Sequence, residues 1–158
     1  MNIFVYGTLT IPEIARAVLG RSPVTEEATL EDFQRLEVSK PDRSAKGPAI
    51  KRSRGALVKG RLLRDLTGDE VGVLDEFEMR DGEYIRSEGG VVTNTGWVGA
   101  EFYEASENLV PFLGVRDWSE TRFIKEHLDG YLRDRIPIFL RSLKTRVWQS
   151  RQERKQQD

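Results

Sequence analysis

The segment most suited to catalysis is 67–79. It reads TGDEVGVLDEFEM and places several carboxylates among apolar residues. Thr67 followed three residues later by Glu70 has capping-box spacing, which predicts that a helix begins here. A carboxylate shielded from water on such a helix is suited to general acid or base catalysis. The segment therefore predicts a helix that carries one or more candidate catalytic acids.

The angular positions around this helix separate its acids. At about 100° per residue, Glu78 falls between Val71 and Leu74 on the apolar face. Glu76 falls on the opposite, solvated side, and Asp75 lies at the border. Periodicity therefore singles out Glu78.

Glu78 would also lie near the carboxyl end of the helix, where the helix dipole disfavours negative charge. Burial and the dipole both raise the pKa of a carboxyl at such a position, which prepares it for proton transfer. The alternative is a helix-end glutamate that reaches water or pairs with Arg80 or Arg86.

The second candidate is Tyr6-Gly7-Thr8-Leu9, which directly follows a short apolar strand that begins at Ile3. A glycine here allows a sharp turn and close approach of a ligand to the backbone. Successive N–H groups in such a turn form a nest that holds a carboxylate. The alternative is an ordinary turn at the end of a strand.

Composition excludes several classes of function. The 158 residues include 25 Lys and Arg against 26 Asp and Glu, so a dedicated nucleic-acid binder is disfavoured. There is no cysteine, which excludes disulfides, cysteine zinc sites and thiol catalysis. The single histidine, His127, has no clustered ligands, so neither a metal site nor a Ser-His-Asp triad is expected.

Hydropathy predicts a cytoplasmic protein. No run approaches the roughly 18 apolar residues of a membrane span. A signal peptide is not expected either, because no basic residue precedes Arg16.

The remaining pattern predicts a small α+β domain in which strands dominate the middle of the chain. The predicted strands are Ile3–Tyr6, Gly55–Leu63, Trp97–Glu104 and 83–93, the last being one strand or a hairpin around Gly89-Gly90. Asp42–Arg54 is expected to be a loop, and a short helix is expected over Ile11–Leu19. After the cap Ser119, a helix should run to about Arg135, with Pro137 interrupting it before a second helical piece.

These elements divide the chain into a barrel domain over 1–115, a helical extension over 116–148 that packs on it, and a polar, flexible tail over 149–158. Residues 40–61 contain eight basic residues and one acid, Asp42. This basic stretch could contact nucleic acid or an acidic substrate group, or form a solvated face.

An ordered set of motifs resembles the gamma-glutamylcyclotransferase-like family, in particular the branch of gamma-glutamylamine cyclotransferase and the avirulence-induced-gene proteins. The resemblance runs from Asn2 to about Tyr103. Its motifs are VYGTL near the start, Pro48-Ala49-Ile50, Val58-Lys59-Gly60, Leu74-Asp75-Glu76-Phe77-Glu78 and Tyr84-Ile85-Arg86.

The resemblance implies a small mixed β-barrel with flanking helices, and release of 5-oxoproline from a γ-glutamyl compound without cofactor or metal. Tyr6, Gly7, Thr8 and Leu9 match the loop that binds the glutamyl group. Glu78 matches the catalytic glutamate. Family tyrosines near the pocket correspond to Tyr84 and Tyr103. This chain departs from the pattern in the basic residues of 46–54 and at Met79-Arg80.

The sequence therefore predicts an enzyme acting on a small γ-glutamyl molecule, with no nucleic-acid or membrane partner. The leaving group stays open among glutathione, γ-glutamyl amino acids and γ-glutamyl-lysine, and the oligomeric state stays open too. The competing hypothesis is a catalytically silent module on the same fold that binds a partner through the basic stretch or the C-terminal helix.

Overall fold

The protein, in a computed structural model that describes residues 1–39, 47–79 and 81–157, is built around a closed five-stranded barrel. The strands are β1 (Ile3–Val5), β2 (Val24–Glu37), β3 (Pro48–Arg64), β4 (Tyr84–Thr93) and β5 (Gly96–Ala105). Their order around the barrel is β1-β3-β2-β4-β5. Strands β1 and β5 pair in parallel and the other neighbours are antiparallel, which confirms a mixed barrel.

The helices cover one side of the barrel. They are α1 (Pro12–Leu19), α2 (Gly68–Met79), α3 (Glu120–Glu126), the single turn α4 (Leu128–Gly130) and α5 (Ile136–Gln157), with a π-helical segment, Tyr131–Arg135, before α5. Short 3-10 turns occur at Thr8–Thr10 and Val110–Phe112. The mixture of an antiparallel-rich barrel with segregated helices confirms the α+β class.

Side chains on the two faces of the barrel strands belong to two separate apolar cores. Phe4, Phe33 and Phe102 lie in the cluster inside the barrel. Ile3 and Val5, on the opposite face of β1, belong to a second cluster between the barrel and the helices. Because successive strand residues point to opposite faces, the three-residue strand β1 contributes to both cores.

Helix α2 begins as its capping box predicts. The Thr67 hydroxyl accepts a hydrogen bond from the Glu70 N–H at 3.2 Å, and a Glu70 carboxylate oxygen accepts one from the Thr67 N–H at 3.1 Å. Arg21 also donates to both Glu70 oxygens, at 2.7 and 2.8 Å. The start of α2 is therefore tied to the end of α1.

Strand β3 is longer than the sequence predicts. The loop expected over 42–54 is wrong from Pro48 onward, because residues 48–52 pair with β2 in register from Glu37 to Phe33 and residues 53–54 continue the same strand. The basic side chains there fit a strand since every second residue faces outward. Residues 42–46 of the expected loop lie outside the described residues. Segment 83–93, left open between a strand and a hairpin, is one strand from Tyr84.

The C-terminal helices are interrupted at a different residue from the predicted one, Pro137. The first helix ends at His127, whose φ of −130° departs from helical values, and Pro137 lies inside the first turn of α5. A proline ring clashes with the carbonyl four residues earlier in an α-helix, and the wider π-helical segment before Pro137 relieves that clash. Helix α5 continues through Gln157, so the backbone of the tail expected over 149–158 is helical to that residue.

Among the described residues, no helix combines the length and the apolar character that crossing a membrane requires.

Candidate active site

The loop after β1 makes its sharp turn at Gly7. The Gly7 carbonyl accepts hydrogen bonds from the Thr10 N–H at 2.9 Å and from the Thr10 hydroxyl at 2.6 Å. The Thr8 carbonyl accepts one from the Ile11 N–H at 3.1 Å. These bonds close a 3-10 turn whose first N–H groups have no partner within the turn itself. The role of this turn in binding a carboxylate stays a prediction.

Pro48, the first residue of β3, supports this loop from the outside. A β-carbon at Gly7 would lie 2.7 Å from Cδ of Pro48, so a larger residue does not fit without displacing one of the two segments. The carbonyl of Pro48 accepts a 2.9 Å hydrogen bond from the buried Tyr84 hydroxyl. Tyr84 therefore contributes by fixing Pro48, which in turn fixes the position of Gly7.

Glu78 is half-buried at the end of α2, beside three buried tyrosines. Burial raises the pKa of Tyr6 well above its usual value, and the charges of Tyr84 and Glu78 raise it further. Burial is also the largest cause of the raised pKa values of Tyr103 and Tyr131, and the Glu78 charge contributes to both. The structure thus brings Glu78 close to tyrosines from β5, from the π-helical segment and from the end of β1.

Asp75 organises one side of this cluster. Its carboxylate accepts a 2.7 Å hydrogen bond from the Tyr103 hydroxyl and bonds of 2.7 and 2.9 Å from Nη1 of Arg86. The Tyr103 carbonyl in turn accepts the Tyr6 hydroxyl at 2.5 Å. Arg86, one of the two partners considered for Glu78 in the sequence, is therefore engaged by Asp75, with Glu101 also 3.6 Å from its Nε.

Tyr131 links the C-terminal part of the chain to the loop after β1. Burial raises the pKa of Tyr131 and the neighbouring Thr8 side chain partly lowers it, and the Tyr131 ring packs edge-on against Phe123 of α3 with centroids 5.5 Å apart. The cluster around Glu78 thus includes a residue from the helical extension, and the resemblance, which ends near Tyr103, does not reach it.

Helix α5 packs against the outer face of α2. The rings of Phe77 and Phe139 meet edge to face with centroids 5.1 Å apart. Arg146 donates a short hydrogen bond to the Glu76 carboxylate. Glu76, predicted on the solvated side, keeps 42% of its side chain exposed, so the helical phase is right, and its carboxylate pairs there with Arg146 of α5.

The structure places the predicted site residues in one region. Tyr6, Thr8 and Leu9 are buried, Gly7 lies at the turn, and the charge of Glu78 acts on Tyr6 and Tyr131. Sequence reasoning missed the roles of Asp75 and Tyr131. The spacing of three residues between Asp75 and Glu78 was an available signal, because such pairs share a helix face.

His127 lies apart from this region as a packing residue. Its half-buried ring contacts Phe123 with centroids 5.9 Å apart, and Nε2 is 3.7 Å from a Glu126 oxygen. Within residues 1–39, 47–79 and 81–157, no group of three or more His, Asp or Glu is arranged to hold a metal ion.

A mixed five-stranded barrel with a half-buried glutamate beside a glycine turn at the end of its first strand defines the class of this protein. The sequence model described as "Gamma-glutamyl cyclotransferase, AIG2-like" matches residues 3–120. The chain belongs to this family, which confirms the resemblance seen in its motifs.

Known proteins support the same assignment. AIG2-like protein D of Arabidopsis thaliana is 41% identical over 85 residues, which are 54% of this chain and 52% of that protein. The matched part therefore spans about half the length of this curated relative. The solution structure of another Arabidopsis thaliana protein superposes with a TM-score of 0.58 at 26% identity, covering 84% of this chain and 85% of that one. A structure described as gamma-glutamyl cyclotransferase, 21% identical over 66% of each chain with a TM-score of 0.57, shares the fold.

Proposed function

We propose that this protein is a cofactor-independent γ-glutamylcyclotransferase-like enzyme that releases 5-oxoproline from a small γ-glutamyl amine or amino acid. The observation that carries the proposal is the placement of half-buried Glu78, whose charge acts on Tyr6, the first residue of the loop, and on Tyr131. A proton-transfer group and a loop with backbone donors therefore adjoin one another. Family membership supports this assignment, because the family includes cyclotransferases.

The reaction needs no nucleophile from the protein. The α-amine nitrogen of the substrate attacks its own γ-carbonyl carbon, which forms the new C–N bond of a five-membered ring. The C–N bond to the leaving amine then breaks. This chemistry suits a chain without cysteine.

In this mechanism Glu78 moves one proton. Its carboxylate accepts a proton from the attacking α-amine and delivers it to the departing nitrogen, so the carboxylate is regenerated at the end of each cycle. Proton transfer by a positioned side chain contributes about 10²–10⁴-fold to such a rate. The raised pKa values of the surrounding tyrosines keep their hydroxyls neutral at physiological pH, so they add no competing charge.

The loop from Tyr6 to Leu9 binds the glutamyl group in a bent shape. The N–H groups from Gly7 onward provide donors for the substrate's carboxylate, and the bend brings the α-amine to the γ-carbonyl. Oriented intramolecular reactions of this kind reach effective molarities of about 10⁵–10⁸ M. Orientation by the loop and proton transfer by Glu78 together account for catalysis without a metal.

The test is to incubate the purified protein with glutathione, several γ-glutamyl amino acids and γ-glutamyl-lysine, and to assay 5-oxoproline. Release from at least one compound supports the proposal and identifies the leaving group. No release across the panel, from protein whose circular dichroism shows it to be folded, would favour the partner-binding module instead.

A further inference from the structure

Arg35 of β2 contacts the backbone of the candidate site directly. Its Nη1 donates a 2.8 Å hydrogen bond to the carbonyl of Tyr6. That carbonyl belongs to the peptide group whose N–H is the Gly7 amide. Arg35 therefore acts on the first peptide of the loop from the side opposite its N–H.

Two residues hold the Arg35 guanidinium in place. Nε and Nη2 donate to the two Asp117 oxygens at 2.8 and 3.2 Å, a bidentate arrangement. The guanidinium also lies over the ring of Trp118, 5.6 Å from its centroid. Because Asp117 binds the edge of the guanidinium and Trp118 packs on its face, Arg35 holds Nη1 against the Tyr6 carbonyl in one orientation.

A β-bulge aims Arg35 toward the loop. The pairing of β2 with β3 shifts register between Glu31 and Phe33, and Asp32 between them has a φ of +64°. Its carboxylate accepts a 2.9 Å hydrogen bond from the Gly55 N–H, which ties the bulge to β3. Asp32 stands opposite the four residues 53–56 of β3, and the alternation of β2 changes phase at this point: Ala28 and Leu30 face the barrel interior before it and Phe33 after it, with Arg35 following on the same side.

The consequence for the loop follows from peptide geometry. In a trans peptide the carbonyl and the N–H point in opposite directions, and the described chain has no cis peptide bond. Fixing the Tyr6 carbonyl therefore also fixes the direction of the Gly7 N–H. A cation bonded to the carbonyl further polarises the peptide, which makes its N–H a stronger hydrogen-bond donor.

We propose that Arg35, held by Asp117, is a positioning residue that orients and polarises the Tyr6–Gly7 peptide for binding the glutamyl group. The inference rests on the proposed function of the Tyr6–Leu9 loop. It assigns a role in substrate affinity to a residue that does not touch the reacting atoms. Since a donor to the glutamyl group acts alike in the ground and transition states, its loss raises KM and leaves kcat nearly unchanged.

Steady-state kinetics of Arg35→Met, with the γ-glutamyl compound that the wild-type protein turns over best, test this role. KM is expected to rise about tenfold while kcat stays within about threefold. Arg35→Lys, which retains one cationic donor, should recover part of the affinity. The matched control is Arg64→Met, because Arg64 also pairs with a carboxylate, that of Glu26, but lies at the opposite end of the β2–β3 pair.

A second measurement separates positioning from general loss of structure. In ¹⁵N-labelled protein, the Gly7 amide resonance should shift in Arg35→Met and remain in place in Arg64→Met. An unmoved Gly7 resonance, or a fall in kcat with KM unchanged, would overturn the inference while leaving the proposed function intact. If the wild-type protein neither binds nor turns over any γ-glutamyl compound, the proposed function is wrong and the inference falls with it.

Discussion

The hydroxyl of Tyr103 donates a 2.7 Å hydrogen bond to Oδ1 of Asp75, one helical turn before Glu78. Because the carbonyl of the same tyrosine accepts the Tyr6 hydroxyl, a continuous path of hydrogen bonds joins α2, β5 and the end of β1. This path keeps the helix that carries Glu78 and the loop that begins after Tyr6 at a constant separation. The stability of the site is therefore open to measurement through single members of the path.

Removing the Asp75 carboxylate is expected to lower the free energy of unfolding more than removing the Tyr103 hydroxyl does. Asp75→Ala leaves the Tyr103 hydroxyl and Nη1 of Arg86 without their acceptor, which lowers the free energy of unfolding by about 1–3 kcal/mol. Tyr103→Phe leaves Asp75 paired with Arg86 and should cost only about 0.5–1.5 kcal/mol. Denaturant unfolding of both variants checks the order, and equal costs would show that Asp75 is not the shared acceptor in solution.

The glutamates of α2 provide a matched pair for catalysis. Glu78→Gln is isosteric and removes only the ability to exchange a proton, so kcat/KM for 5-oxoproline release should fall about 10²–10⁴-fold with the fold intact. Unchanged turnover would refute the role assigned to Glu78.

Glu76→Gln is the control for that experiment. It weakens the half-exposed contact with Arg146, so we expect nearly unchanged activity and a loss of stability no larger than about 1 kcal/mol. An activity loss comparable to that of Glu78→Gln would mean that the wrong face of α2 has been assigned to the site.

The buried tyrosines predict instability at alkaline pH. Burial raises the pKa of Tyr6, Tyr103 and Tyr131 above the usual value of about 10. Below about pH 10 these hydroxyls are protonated in both states, so the stability they provide is fully present. As pH rises further, the unfolded chain loses protons that the folded protein retains, and the free energy of unfolding falls.

Spectroscopic titration checks this dependence. Phenolate absorbance is expected to rise together with the loss of native circular dichroism. Ionisation of more than one of the four tyrosines while the native signal persists would contradict it.

The contact between Arg21 and Glu70 predicts that the stability of the protein depends on pH in the acidic range. Hydrogen bonds from Arg21 lower the pKa of Glu70 from 4.5 to about 2. The stability gained is present above about pH 4.5 and is lost as pH falls toward 2, because the unfolded chain takes up the proton first. The difference in stability between the wild-type protein and Glu70→Gln should therefore be constant near neutral pH and shrink on acidification.

Thr67→Ala provides the comparison. It removes the cap of α2 without removing an ionisable group, and we expect the free energy of unfolding to fall by about 1 kcal/mol. That loss should vary little with pH between 7 and 5, so thermal unfolding across this range and below it distinguishes the two variants. If Glu70→Gln lowers the free energy of unfolding by the same amount at the lowest pH as at neutral pH, the pairing of Glu70 with Arg21 is contradicted.

Local patterns determined much of this protein. The capping box at Thr67 and the periodicity after it located α2 and put Glu78 at its end, because helical geometry depends on residues a few positions apart. Alternation located β5, and the motifs around Gly7 and Glu78 identified the family. These features need no information from distant parts of the chain.

Tertiary structure decided the features that depend on partners far apart in sequence. Strand β2 has no clear pattern of its own and is defined by its register with β3. The basic residues after Pro48 form a strand for the same reason, since backbone pairing overrides local propensity. Half-exposed Glu76 lies on the side that the helical phase predicts, but its pairing with Arg146 was not predictable, because a helical phase gives a direction and does not show which helix lies there.

The assembly of the site belongs to the same category. Tyr131 comes within the influence of the Glu78 charge from more than 50 positions away, and Arg35 reaches the Tyr6 carbonyl after the alternation of β2 changes phase at Asp32. The sequence by itself determined which residues are proposed to carry the chemistry and the local elements that bear them. Which hydroxyls and cations surround Glu78 and the Gly7 turn was decided by closure of the barrel and packing of the helices, because hydrogen bonds and charge interactions depend on distances in space.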